Sequence, residues 1–181
     1  MVALRKASAY SKKYARPYTR VSKKKSKNFI KTAVDKKIAK YNMGDNKSYN
    51  TGKYQTAIRI ISKERIQIRD NALEAVRQSV SRQLESKIPK QYYFEVRVHP
   101  HHIMRENKML TGAGADRMSS GMKHSYGKPS GRAALVKENQ EIFVIYTNGD
   151  KNIKIAKEFL NSTKSKIPCA TQIVVEKVVN K

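Results

Sequence analysis

A chain of 181 residues is long enough for one ordinary domain with extensions and too short for two full-sized ones. Its 39 Lys and Arg against 14 Asp and Glu give a formal charge of +25, an excess that opposes compaction and that a polyanionic partner neutralises. Nucleic acid is the first candidate partner. A membrane is disfavoured: no apolar run approaches the roughly 18–20 residues of a spanning helix, and the basic residues are spread along the whole chain.

Residues 1–34 hold eleven Lys and Arg, no acid, and Tyr10, Tyr14 and Tyr18. Such a segment cannot bury enough apolar area to offset its conformational entropy, so it is expected to order only on RNA. Arg16, Arg20, Lys23, Lys24 and Lys25 are its candidates for phosphates, and Tyr18 for stacking on a base or ribose. The stretch resembles a transit peptide in being basic and Ser-containing, but Lys outnumbers Arg eight to three. We expect it to be part of the working protein, an RNA-binding extension ahead of a core over residues 35–181.

That core is expected to begin near Ile38–Met43, with Gly44-Asp45 as a turn and residues 46–53 as a polar loop. Thr56 to Ile61 is rich in β-branched residues and predicts a strand. Ser62 reads as an N-cap with Glu64 in the first turn of a helix. Ile66, Leu73, Val76, Val80 and Leu84 would form its buried stripe, and Arg65, Arg69, Glu74, Arg77, Arg82 and Glu85 its outer face, before Pro89 ends it. From Tyr92 to Val98, Phe94, Val96 and Val98 alternate with Tyr93, Glu95 and Arg97, the pattern of a strand.

Residues 105–132 read as a long irregular stretch. Ala133–Val136 and Glu141–Thr147 then predict a hairpin around Glu138-Asn139-Gln140. Asn148-Gly149-Asp150 leads into a second helix with Ile153, Ala156, Phe159 and Leu160 on one face; Pro168 closes it, and Gln172–Val179 is a last strand. The fold class that follows is a single α+β domain, two helices packed on a mostly antiparallel sheet.

The loop of residues 105–131 carries five of the eight glycines, Gly112, Gly114, Gly121, Gly127 and Gly131, among Arg117, Lys123 and Lys128. Long loops in compact domains are mostly functional or disordered. A nucleotide-binding loop fails on sequence: Thr111-Gly112-Ala113-Gly114-Ala115-Asp116-Arg117 lacks a Gly-Lys-Ser/Thr ending and does not match the dinucleotide fingerprint. All four histidines lie between His99 and His124, but His101 and His102 would point to opposite faces of an extended segment. Few carboxylates stand near, and Cys169 is the sole cysteine, which rules out an internal disulfide and a thiolate-rich zinc site. His124 is thus a candidate for RNA contact rather than for a metal. Ser119, Ser120 and Ser125 sit near histidine without anything that marks an oxyanion hole. No catalytic residue, metal or cofactor is expected.

Arg105-Glu106-Asn107-Lys108-Met109, the Thr111–Arg117 run, Gly121-Met122, and Gly127-Lys128-Pro129 with Gly131 follow in an order that resembles one signature loop. It is that of the universal large-subunit ribosomal protein family numbered sixteen in bacteria and ten-e in archaea and eukaryotes. Gln67-Ile68-Arg69-Asp70-Asn71-Ala72-Leu73-Glu74-Ala75, Pro17-Tyr18-Thr19-Arg20 and Lys166-Ile167-Pro168 are similar to its archaeal and eukaryotic branch. Two departures stand out. Thr32-Ala33-Val34-Asp35 replaces a Gly-Val-Pro-like turn, and Ser125-Tyr126 replaces an Ala-Phe pair. The typical eukaryotic C-terminal extension does not follow, so an archaeal source is expected. The resemblance implies a core docked on large-subunit rRNA beside the A-site tRNA, among neighbouring ribosomal proteins. It implies a loop reaching toward the peptidyl-transferase region and the acceptor ends of tRNA in the aminoacyl and peptidyl sites. Arg105, Lys108, Arg117, Lys123 and Lys128 are its implied RNA-facing positions, with Arg132 just beyond. An RNA-acting enzyme would share the charge but needs a convergent catalytic set that the chain lacks. A free-standing RNA-binding regulator would share the composition but not the motifs.

Overall fold

The computed structural model describes residues 11, 34–106 and 128–178. Elements follow in the order β1 (Asn42–Gly44), α1 (Asn46–Asn50), β2 (Thr56–Ser62), β3 (Ile66–Arg69), α2 (Asp70–Lys87), β4 (Tyr92–Val96), β5 (His102–Glu106). After them come β6 (Lys128–Val136), β7 (Glu141–Thr147), α3 (Asp150–Thr163), a 3₁₀ turn at Lys164–Lys166, and β8 (Thr171–Lys177). This is an α+β domain in which helices pack on antiparallel strands. It departs from expectation in having two sheets: five strands in the order β1-β4-β7-β2-β8 and three in the order β3-β6-β5. It also adds the short helix α1 where a loop was expected; Asp45 caps it, its carboxylate accepting the Lys47 and Ser48 N–H groups.

Three further corrections have physical causes. The first long helix starts at Asp70, not after Ser62, because Ile66–Arg69 pairs with β6, Ile66 opposite Val136 and Ile68 opposite Ala134. A short apolar run fits a helix stripe and a buried strand equally well. Buried Gln67, between two buried isoleucines, marks the strand. Ser62 is a buried strand end, its hydroxyl donating to the Glu64 carbonyl at 2.7 Å. Second, β6 and β7 do not form a hairpin. The turn between them docks on the end of β2, where the Asn139 N–H donates to the Ser62 carbonyl at 2.8 Å and the Ser62 N–H to the Gln140 carbonyl at 3.0 Å. That steers β7 in beside β2, in the other sheet. Third, the irregular stretch is shorter at both ends, since His102–Glu106 and Lys128–Val136 are paired strands.

The large sheet has a core on each face. On the helix side Ile58, Ile60, Phe94 and Ile145 lie under Val76, Val80, Leu84, Ala156 and Leu160, with Ile66, Ile68 and Val136 of the small sheet joining the cluster. Each fully buried Val, Leu, Ile or Phe among them contributes about 1.5–3 kcal/mol against exposure. On the far face Tyr54, Ala57, Tyr93, Val144 and Tyr146 form a second cluster. Tyr49 of α1 stacks on Tyr93 with ring centroids 4.0 Å apart, and burial, helped by Tyr146, pushes its hydroxyl up to about 12. Through Tyr49, α1 covers part of this face.

Candidate nucleic-acid interface

The small sheet positions both basic segments. Strands β5 and β6 run antiparallel with His102 opposite Ala133, Arg105 opposite Pro129 and Glu106 opposite Lys128, so the two ends of the loop leave from one paired rung. A register shift between Met104 and Arg105 re-aims the last residues before that rung. The N-terminal segment meets the core at the same sheet. Arg132 Nε donates to the Val34 carbonyl, and the Lys37 N–H donates to Asp70 Oδ2 at 3.1 Å. Asp70 is a buried carboxylate at the start of α2; its other oxygen accepts the Asn71 N–H at 2.8 Å, and the helix N-terminus favours its charge. Arg132 lies four residues along β6 from Lys128, about 13 Å at strand rise. Tail junction and loop mouth are thus neighbours.

Of the residues singled out in the sequence, Arg105 lies half-buried on β5, Lys128 opens β6, and Arg132 is half-buried and engaged with Val34. Arg16, Tyr18, Arg20, Lys23, Lys24, Lys25, Lys108, Arg117, Lys123 and His124 lie outside the described residues. Of the tail only Ser11, 7% exposed, and Val34 are described, and the rest of the segment expected to order only on RNA lies outside the described residues.

His102 sits beneath the loop mouth, 5% exposed, its Nδ1 2.7 Å from Gln67 Oε1 across β6. Burial, then the nearby Arg105 charge, lowers its pKa below the ordinary 6.5. The sign of the consequence is definite: as pH falls through 6.5 the unfolded chain takes up the proton first, so stability drops. Urea unfolding at pH 7.5 and 5.5 should show this loss, and His102→Gln should reduce it. An equal pH response in both chains would contradict the buried neutral imidazole.

Arg77 on the face of α2 and Arg59 and Arg97 of the large-sheet region are engaged by carboxylates, whereas Arg82 of α2 is exposed. Arg77 is held by Glu74 in a two-pronged pair, with Nε to Oε2 at 2.7 Å, and Glu74 is lowered below the usual carboxylate range by that contact. Arg59 meets Glu141 at 3.2 Å and Glu176, and Arg97 meets Glu95 at 3.4 Å and Glu141 at 3.6 Å. The lysines are different: on α3, Lys151, Lys154 and Lys157 are all exposed. Their three-residue spacing, itself legible in the sequence, puts them along one side of the helix. A flexible, strongly hydrated ammonium suits a phosphate contact, while the planar arginine fork suits the carboxylate pairs it makes here. Among the described residues no group of three or more His, Cys, Asp or Glu is placed to hold a metal, and no helix is long and apolar enough to cross a membrane.

Residues 17–174 match the family model for ribosomal protein L16p/L10e. A protein of Nanoarchaeum equitans named large ribosomal subunit protein uL16 is 41% identical over 170 residues, 93% of this chain and 90% of that one. Proteins of the same name from Archaeoglobus fulgidus and Methanococcus maripaludis are 38% and 40% identical, covering 96% and 97% of this chain and 94% and 96% of theirs. With the family model spanning most of the sequence and archaeal relatives aligning almost end to end, the chain belongs to the ribosomal protein L16p/L10e family, a non-enzymatic component of the large ribosomal subunit.

Proposed function

We propose that the protein binds large-subunit rRNA beside the A-site tRNA and the peptidyl-transferase region and supports tRNA positioning during translation. Residues 1–34 act as the rRNA anchor, and residues 35–181 form the core whose loop, 105–131, serves the aminoacyl and peptidyl tRNAs. Neighbouring ribosomal proteins complete its surroundings. The observation that carries this reading is the adjacency of the tail junction at Val34 and the loop mouth at Glu106 and Lys128 on one small sheet. A rigid strand pair is a suitable base for a functional loop, and the eleven Lys and Arg of residues 1–34 would supply sequence-independent affinity.

Binding of the purified chain to large-subunit rRNA across a salt series tests the proposal. Log affinity is expected to fall steeply with log salt, by roughly 0.7–0.9 for each phosphate neutralised. A slope near zero would remove the electrostatic basis of the reading.

A further inference from the structure

Far from the small sheet, at the opposite end of β7, lies an open cavity of about 280 Å³ lined by Lys53, Tyr54, Lys90, Gln91, Asn148 and Asn152 among others. No carboxylate lines it, although Asp45 lies close enough for its charge to act on Lys53 and Tyr54. Its floor is tied together. Asn148 accepts the Gln55 N–H at 2.6 Å and donates to the Lys53 carbonyl at 2.7 Å, stapling residues 53–55 to the end of β7. Asn152 donates its Nδ2 to the Asn148 carbonyl at 2.9 Å, which fixes the orientation of its amide, and to Gln91 Oε1 at 3.1 Å, which fixes the next. The Asn152 Oδ1 acceptor and the Nε2 donor of the exposed Gln91 then have no protein partner among the described residues and are open to a ligand or to water. An acceptor beside a donor is the complement of a base edge offering a donor beside an acceptor, as adenine does; amide side chains read that edge in nucleic acids.

The backbone supplies a second, independent sign. Lys90 has φ +58°, and besides Asn139 it is the only non-glycine residue with positive φ among those described. Asn tolerates that region; Lys does so at a cost, and such outliers concentrate at binding sites. Glycine would satisfy the turn after α2 at lower cost, yet a lysine stands there, and both it and Lys53 line the cavity.

We infer that this cavity takes one unstacked RNA nucleotide, its base edge against Asn152 and Gln91 and its phosphate between Lys53 and Lys90. The volume falls just under the roughly 300–1,000 Å³ of small-molecule sites, the scale of a single base rather than of a duplex. Splayed bases read on their edges are the usual means of specific RNA recognition. The site is a contact additional to the tail and loop and on the other end of the domain.

Two measurements on the full chain test it. Lys90→Gly relieves the backbone, so its melting temperature should hold or rise, whereas its rRNA salt slope should fall by roughly 0.7–0.9, one phosphate contact. An unchanged slope overturns the RNA assignment. In the second, the side-chain amide NMR signals of Gln91 and Asn152 are followed during titration with adenosine 5′-monophosphate and, separately, inorganic phosphate. The nucleotide should shift both signals, and phosphate alone should not. No shift with the nucleotide, or equal shifts with phosphate, overturns base recognition. Nucleotide shifts without any slope change in Lys90→Gly would make it a site for free nucleotides, and the RNA reading would be wrong. The slope of the unaltered chain judges the tail-and-loop reading separately.

Discussion

Gly44→Ala is expected to cost about 2–5 kcal/mol, combining left-handed backbone strain with a steric clash. At Gly44 φ is +93°, and an added Cβ would lie 2.2 Å from the Tyr92 carbonyl oxygen. That carbonyl has no room to retreat, because it accepts the Asp45 N–H at 3.0 Å and Tyr92 is registered opposite Thr147 in β7. Gly149 provides the control: its φ is +85°, but nothing lies within 4 Å of the built Cβ. Gly149→Ala should therefore cost only the backbone strain, about 1–3 kcal/mol at φ +85° and ψ 136°. Urea unfolding of the two variants side by side checks the difference. Equal losses would mean that the close approach of β1 to β4 is not what requires glycine.

Deleting residues 1–33 is expected to have the largest effect on RNA binding. The deletion leaves Val34, and with it the contact to Arg132, in place. If six of the removed charges meet phosphates, the salt slope falls by roughly four to five. The folded core should survive, since Lys37 remains tied to Asp70 and the helix-side cluster begins at Ile38. Circular dichroism melting and rRNA titration of the truncated chain measure the two consequences independently. A truncated chain that keeps its affinity would transfer the anchoring role to the core lysines.

What could be read from the sequence follows the range of the interaction that sets each feature. Strand β4 and helix α3 were legible because alternation and a three-four spacing are local signals, and Pro89 and Gly149 punctuate them. Strand β3 was not, because what makes Ile66–Arg69 a strand is its partner Ala133–Val136, far along the chain. The number of sheets was hidden for the same reason: the turn at Asn139 looks like a hairpin until Ser62 is seen to hold it. On the functional side, charge, glycine spacing and motif order singled out the tail and loop. The strap from Arg132 to Val34 was invisible, since a backbone carbonyl leaves no mark in sequence. The engagement of Arg59 was hidden likewise, since it meets Glu176 only because β2 and β8 pair, whereas the i,i+3 pair of Glu74 and Arg77 is local.

The division of labour between anchor and loop is tested most directly by replacing Arg117, Lys123 and Lys128 together with Ala. Three charges are a small part of 39, so the variant should still enter large subunits at close to normal occupancy. Activity should fall much further, because the lost groups belong to the segment assigned to tRNA. Purified variant subunits are assayed in parallel for protein occupancy and for A-site tRNA binding with peptide-bond formation. Near-normal occupancy with clearly weakened tRNA binding or peptide-bond formation is the predicted result; occupancy that collapses as far as activity would show the loop to be an anchor and contradict the account.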